Sequence, residues 1–126
     1  MKTINFIIIF ILGLQTTVSQ ISNIATESYE TVEIKPEYFG GISEFIKFIS
    51  NNFKLPEGES ISGTIKVSYI IDIDGKLKEI KVISDIGEGT GAEAIRVLKM
   101  CPNWTPGESD GKKVRVKMQL PINLQF

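Results

Sequence analysis

Histidine is absent from the 126 residues, which removes the commonest general base, the Ser-His and Cys-His nucleophile pairs and the commonest metal ligand. A single cysteine, Cys101, cannot close an intrachain disulfide or assemble a zinc site of several thiolates. In an oxidising compartment it is either buried and inert or a route to an intermolecular bridge. Charge of one sign is not in excess either: 14 basic residues face 15 acidic ones, for a formal net charge of -1. That balance gives no pull toward nucleic acid or anionic membranes. Asp72 and Asp74 precede Gly75, but the glutamate that closes a calcium loop is missing at the required spacing. These absences exclude most simple catalytic designs and predict a chain that is not an enzyme and holds no cofactor or metal, so stability has to come from packing. The length leaves room for one domain.

What is present begins with a different material. Lys2 precedes an apolar run over residues 4–14, broken only by Asn5 and Gly13. A bilayer-crossing helix needs about twenty apolar residues, so a run this short reads as the core of a signal peptide. Thr17 and Ser19 supply small residues for cleavage, which assigns residues 1–19 to a signal peptide and the mature chain to the periplasm. The alternative is an uncleaved inner-membrane anchor, the one case in which the chain touches a membrane. Residues 20–38 form a polar tether. Within it Val32 and Ile34 alternate with Glu33 and Lys35, as a short edge strand would.

Residues 39–126 carry the periodicities of a folded domain. After Gly40 and Gly41, the residues Ile42, Phe45, Ile46, Ile49 and Phe53 recur at helical spacing, with Phe48 at the border, and the helix must end before Pro56. Ile65, Val67, Tyr69, Ile71 and Ile73 then alternate with more polar neighbours, a strand period. Asp74-Gly75 is a strong hairpin signal, returning a second strand over residues 76–84. A two-residue turn puts Ile80 and Val82 on the face of Tyr69 and Val67, but leaves Leu77 and Ile83 beside Ile70 on the other. Either the turn is longer with a bulge, or that second face is covered. Thr90 with Glu93 reads as a capping box, Ala94, Ile95, Val97 and Leu98 as the buried face of a second helix, and Pro102 as its stop. A lone tryptophan, Trp104, reads as core over the helix-to-strand connection. From Val114 every even position to Phe126 is apolar and most odd ones are polar. The predicted fold is α+β: two helices on one face of a three-stranded antiparallel sheet, in the order helix, hairpin, helix, strand.

Together, GTIKVSYIIDIDGKLKEIKVIS, EAIRVLKMCPNW, TPG and GKKVRVKMQLPINLQF resemble the C-terminal domain of TonB-like energy transducers. The resemblance runs from about Phe39 to Phe126. It implies a domain that grips a short segment of an outer-membrane receptor, or of another envelope protein, by pairing edge strands in support of transport. The chain departs from the family in having no convincing membrane anchor and no long proline-rich spacer.

Pro121 locates such a grip. Proline has no N–H, so within a sheet its donor side must face an open edge, and backbone groups of one parity point to one neighbour. Arg115, Lys117 and Gln119 share the parity of Pro121 and should face that edge, provided no bulge intervenes. Arg115 and Lys117 would favour acidic partners, or would simply blunt an edge prone to aggregation. The resemblance places Asn52 at a contact to the receptor; the alternative is a cap on the first helix. A separate reading makes the face of Ile70, Leu77 and Ile83 a self-association surface of a homodimer or assembly subunit.

Overall fold

The strongest alternations in the sequence become two long strands paired over their whole shared length. A computed structural model describes residues 25–55 and 60–125; the signal-peptide reading of residues 1–19 lies outside the described residues. In chain order the elements are β1 (Thr26–Ser28), α1 (Ile42–Asn52), β2 (Ser62–Ile71), β3 (Leu77–Ser84), α2 (Thr90–Lys99), β4 (Gly107–Ser109) and β5 (Lys112–Gln125). The sheet order is β1-β5-β2-β3, with β4 also paired to β5.

β2 lies between β5 and β3, and the α+β class is as expected. The three-stranded antiparallel sheet is not: the sheet has five strands and is mixed, because β1 runs parallel to β5 and β4 pairs antiparallel with its start. The segment read as a tether supplies the parallel strand, at Thr26–Ser28 rather than around Val32. It then stays on the domain through bridges from Ile34 to Glu108 and from Glu37 to Thr105. Val32 is buried with Val114 and Val116 in a small second core.

In the main core Ile65, Val67, Tyr69 and Ile71 of β2 meet Phe45 and Ile49 of α1, Ala94, Val97 and Leu98 of α2, and Ile122 and Leu124 of β5. Full burial of a large apolar side chain contributes about 1.5–3 kcal/mol. Trp104 is core, packed edge-on against Phe45 at a centroid distance of 4.8 Å and against Tyr38 at 5.6 Å. The apolar stripe of α1 is only half used inward: Ile42 and Ile46 remain 60% and 56% exposed, while Phe48 packs against the core.

Between the hairpin strands the turn is longer than two residues. Gly75 N–H donates to the Asp72 carbonyl at 2.9 Å, and Asp72 N–H to the Lys76 carbonyl at 2.9 Å, a three-residue loop with Gly75 at φ 81°. Leu77 therefore pairs with Ile71, and the register shifts again between Ser68 and Ile70, where Glu79 has φ 50°. These bulges turn Leu77, Ile80 and Val82 all toward the core. The face of Ile70, Leu77 and Ile83 is thus not assembled, and Ile83 stands exposed by itself among them.

The capping box at α2 does not form. Gly89 in the left-handed region precedes the helix, Thr90 Oγ1 donates to the Gly87 carbonyl at 2.7 Å, and Glu93 is held elsewhere. A helix entry through a positive φ displaces Thr90 from the capping position into the first turn.

Gly75 is also where the hairpin touches the segment after α2: Trp104 N–H donates to its carbonyl at 2.8 Å, and a Cβ at Gly75 would overlap the Trp104 carbonyl oxygen. Gly111 has a similar φ of 71° but open space around it. Gly111→Ala should cost about 1 kcal/mol for the left-handed backbone alone, and Gly75→Ala about 3 kcal/mol or more. Urea unfolding of the two variants checks this; equal losses would mean the close approach to Trp104 carries no weight.

Candidate functional site

β5 and β2 pair without a break from Ser62 opposite Gln125 to Ile71 opposite Val116. No bulge alters the parity of β5, and one hydrogen bond fixes its sense: Tyr29 N–H donates to the Lys117 carbonyl at 3.2 Å, on the side away from β2. The main-chain groups of Arg115, Lys117, Gln119 and Pro121 therefore all face outward, and Pro121 removes no bond from the ladder to β2.

The structure divides these four residues. β1 pairs with Arg115, Val116 and Lys117, so the outward groups of Arg115 and Lys117 lie under a strand of the same chain. Beyond Tyr29, no strand among the described residues pairs with the outward side of residues 119–125. Gln119 and Pro121 belong to that unpaired stretch, and Asn123 and Gln125 continue it.

Two clefts flank it on the helical side. One of about 280 Å³ lies between Ile46, Ile49 and Phe53 of the α1 side and Leu120, Ile122 and Leu124 of β5. The other, of about 430 Å³, is bounded by Tyr29, Ile42, Tyr69, Lys117 and Leu120. The exposure of Ile42 and Ile46 now has a reason: both lie beside the unpaired part of the strand rather than over the core. Helical spacing alone could not separate these two from Phe45 and Ile49.

The opposite sheet face is charged. The Arg115 guanidinium lies 3.1 Å from Glu79 Oε2 and 3.6 Å from Asp72 Oδ1, and Lys78 Nζ is 2.7 Å from Asp72 Oδ2. Hydrogen bonding from Lys78, helped by the Ile73 amide and by Arg115, holds the Asp72 carboxyl below the usual range. Asp72 and Asp74 serve the turn, through bonds to Ile73 N–H at 2.8 Å and Lys76 N–H at 3.0 Å. Arg115 thus spends its charge within the chain, whereas Lys117 makes no ion pair among the described residues.

Asn52 is engaged at the end of α1. Its amide Nδ2 donates to the Phe48 carbonyl at 2.7 Å, as a C-terminal cap does. Its own carbonyl accepts from Arg96 at 2.7 Å. Arg96 also grips Glu93 with two bonds of 2.6 and 2.7 Å, and Glu93 Oε2 accepts the Lys54 N–H at 2.6 Å. This clamp ties α2 to the exit of α1, the helix bordering the clefts. Sequence reasoning assigned Glu93 to a cap and passed over Arg96, although the three-residue spacing of opposite charges was a usable signal.

Two helices on one face of a small mixed sheet, with a long last strand whose outer side meets no strand of the described residues over its second half, define an α+β domain built around one regular edge. The chain belongs to the family of Gram-negative bacterial TonB protein C-terminal domains, whose family model matches residues 58–125, more than half of the chain. No curated protein and no solved structure matches it.

Hydrogen bonding to Arg96, with the Lys54 amide and the nearby positive charges, lowers the Glu93 pKa. A carboxyl whose folded pKa lies below its unfolded value contributes stability that is present above about pH 4.3 and lost as pH falls through the folded pKa. Glu93→Gln should therefore lower stability at pH 7 by about 1 kcal/mol and flatten the loss seen in the parent below pH 4. Urea midpoints at pH 7, 4 and 3 measure both, and an unchanged acid slope would assign that loss to other carboxylates.

Proposed function

We propose that this chain is a periplasmic docking module that holds an extended segment of an outer-membrane receptor, or of another envelope protein, by adding it as a strand to β5 along residues 119–125. The observation that carries the reading is a regular run of outward main-chain donors and acceptors with no partner strand among the described residues, flanked by an apolar cleft. Peptide recognition by strand addition uses these two components: main-chain bonds for attachment and alternate side-chain pockets for choice. Membership of the TonB C-terminal family supports a role in envelope transport. β1 supports the mode of attachment, since it is itself a short strand held by the same edge.

In this reading Gln119 and Pro121 make the first main-chain contacts, and Lys117 offers its ammonium beside them to an acidic side chain. Arg115 lies further along the same edge under β1. Asn52, bonded within α1, is not assigned a partner contact. The module's task is attachment, and no reaction is assigned to it. Among the described residues no helix is long and apolar enough to cross a membrane.

Proline substitution tests the edge. Gln119→Pro removes one outward N–H and, like Pro121, should leave the ladder to β2 intact, so the protein stays folded and loses at least tenfold in affinity for extended peptides. Leu120→Pro removes an inward N–H and should destabilise the fold by about 3 kcal/mol. Amide shifts on titrating the labelled chain with a panel of extended receptor-segment peptides report the location. Binding with no perturbation along residues 119–125 would overturn the assignment.

A further inference from the structure

The hydroxyl of Tyr69 is buried and has no hydrogen-bond partner among the described residues. The residue is only 1% exposed, on the sheet face that carries the helices. Burial pushes the phenol pKa above its ordinary value, so the group keeps its proton and remains a donor. Native proteins rarely leave such a group unmet, because its lost hydration is not returned.

Its surroundings point to what meets it. Tyr69 forms part of the wall of the 430 Å³ cleft, with Tyr29, Ile42 and Leu120 around it. The cleft opens where β1 leaves the edge of β5; the bond from Tyr29 N–H to the Lys117 carbonyl closes the covered part, and Gln119 begins the free part. A strand added there would alternate its side chains between the two sheet faces. Directly paired residues share a face, so the incoming residue opposite Leu120 would point into this cleft.

We propose that the cleft over Tyr69 is a selective subsite of the β5 edge, taking a neutral hydrogen-bonding side chain, a serine or threonine hydroxyl or an asparagine carboxamide, from the incoming residue paired with Leu120. The Tyr69 hydroxyl, closed to solvent in the free chain, donates to that side chain once the exposed Ile42 or Tyr29 beside it gives way. The inference rests on strand addition at residues 119–125. Glu30 and Lys117 line the cleft beside Tyr29, Ile42 and Leu120, one charge of each sign, so the buried hydroxyl rather than a net field sets the preference for a neutral hydrogen-bonding group. The second cleft, at Ile46 and Leu124, takes an apolar side chain further along the same face of the segment. Recognition thus reads one polar and one apolar position at an even offset along the segment, such as i and i+2 or i and i+4.

The probes are a peptide of about ten residues alternating valine with glutamine, and variants in which each valine in turn becomes threonine. Each is titrated against the full chain and against Tyr69→Phe, which deletes one oxygen and keeps the ring. One threonine peptide should bind the parent protein about tenfold tighter than the valine peptide. That preference should vanish in Tyr69→Phe, while affinity for the valine peptide and the amide shifts along residues 119–125 stay the same. Thermal stability of Tyr69→Phe should equal or exceed that of the parent. A lower stability means the hydroxyl is already satisfied inside the fold and counts against the subsite. Peptides that shift residues 119–125 but show the same threonine preference in both proteins remove the subsite and leave strand addition standing. Peptides that shift nothing there in either protein remove both.

Discussion

The unbroken pairing of β5 with β2 is the constraint on which the rest of the molecule depends. It has to satisfy two independent demands at once. The apolar side chains of Leu120, Ile122 and Leu124 must face the helices, and Pro121, which has no N–H, must face away from β2. A strand period of two makes these the same demand only in one register. Slipping β5 by one residue would send its apolar side chains to the charged face and turn Pro121 inward, where a β2 carbonyl would lose its donor. The outward sense of Gln119 and Pro121 is thus a by-product of core packing, maintained by burial of the opposite parity.

The two sides of the sheet are handled differently. β3, at one margin, is bulged twice and carries Glu79 at a positive φ, with Lys78 and Lys81 along it. Bulges and charge are the means by which sheets discourage further pairing. The bulges serve the core as well, since they bring Leu77, Ile80 and Val82 inward while leaving Glu79 free to reach Arg115 across the far face. Ile70, flanked in register by Lys78 and Lys117, is nonetheless buried, a degree of cover that the stems of long charged side chains can supply. On the other side β5 is regular, and β1 covers only its first part. An edge left straight, uncapped and bordered by Ile42 and Ile46 differs physically from one that has been bent and charged.

Strong local periodicity made much of this legible in the sequence. The alternation at Ile65 to Ile71 and at Val116 to Leu124 marked both long strands, and the spacing of Ala94, Val97 and Leu98 marked α2. The outward parity of Gln119 and Pro121 followed from the chemistry of one proline. What escaped notice depends on contacts distant in sequence. β1 is made of Thr26, Glu27 and Ser28, which carry no apolar pattern, and only the edge they meet makes them a strand. The longer, bulged turn is one of the two alternatives that the sequence leaves open for Leu77; bringing Ile80 and Val82 inward with it required a positive φ at Glu79, a non-glycine position with no sequence signature. Glu93 satisfied the capping pattern in sequence but found Arg96 and the Lys54 amide instead, because Gly89 had already begun the helix. Nothing in the alternation of β2 distinguished the Tyr69 hydroxyl from a phenylalanine edge.

Energetics explain why an edge of this kind would need its clefts. The outward groups of Gln119, Pro121, Asn123 and Gln125 are solvated when free, so exchanging water for a partner's main chain yields only about 0.5–1.5 kcal/mol per bond. Pro121 contributes an acceptor and no donor. Against this stand the lost translational and rotational freedom of association, about 4–15 kcal/mol, and the ordering of an extended segment. Main-chain bonds along so short a stretch therefore hold register without holding tightly, and they read no sequence. The surplus must come from side chains entering the space beside Ile42, Ile46 and Leu120, where apolar area is removed from water at about 25 cal/mol per Å². Affinity and selectivity would then both reside on the α1 side of β5.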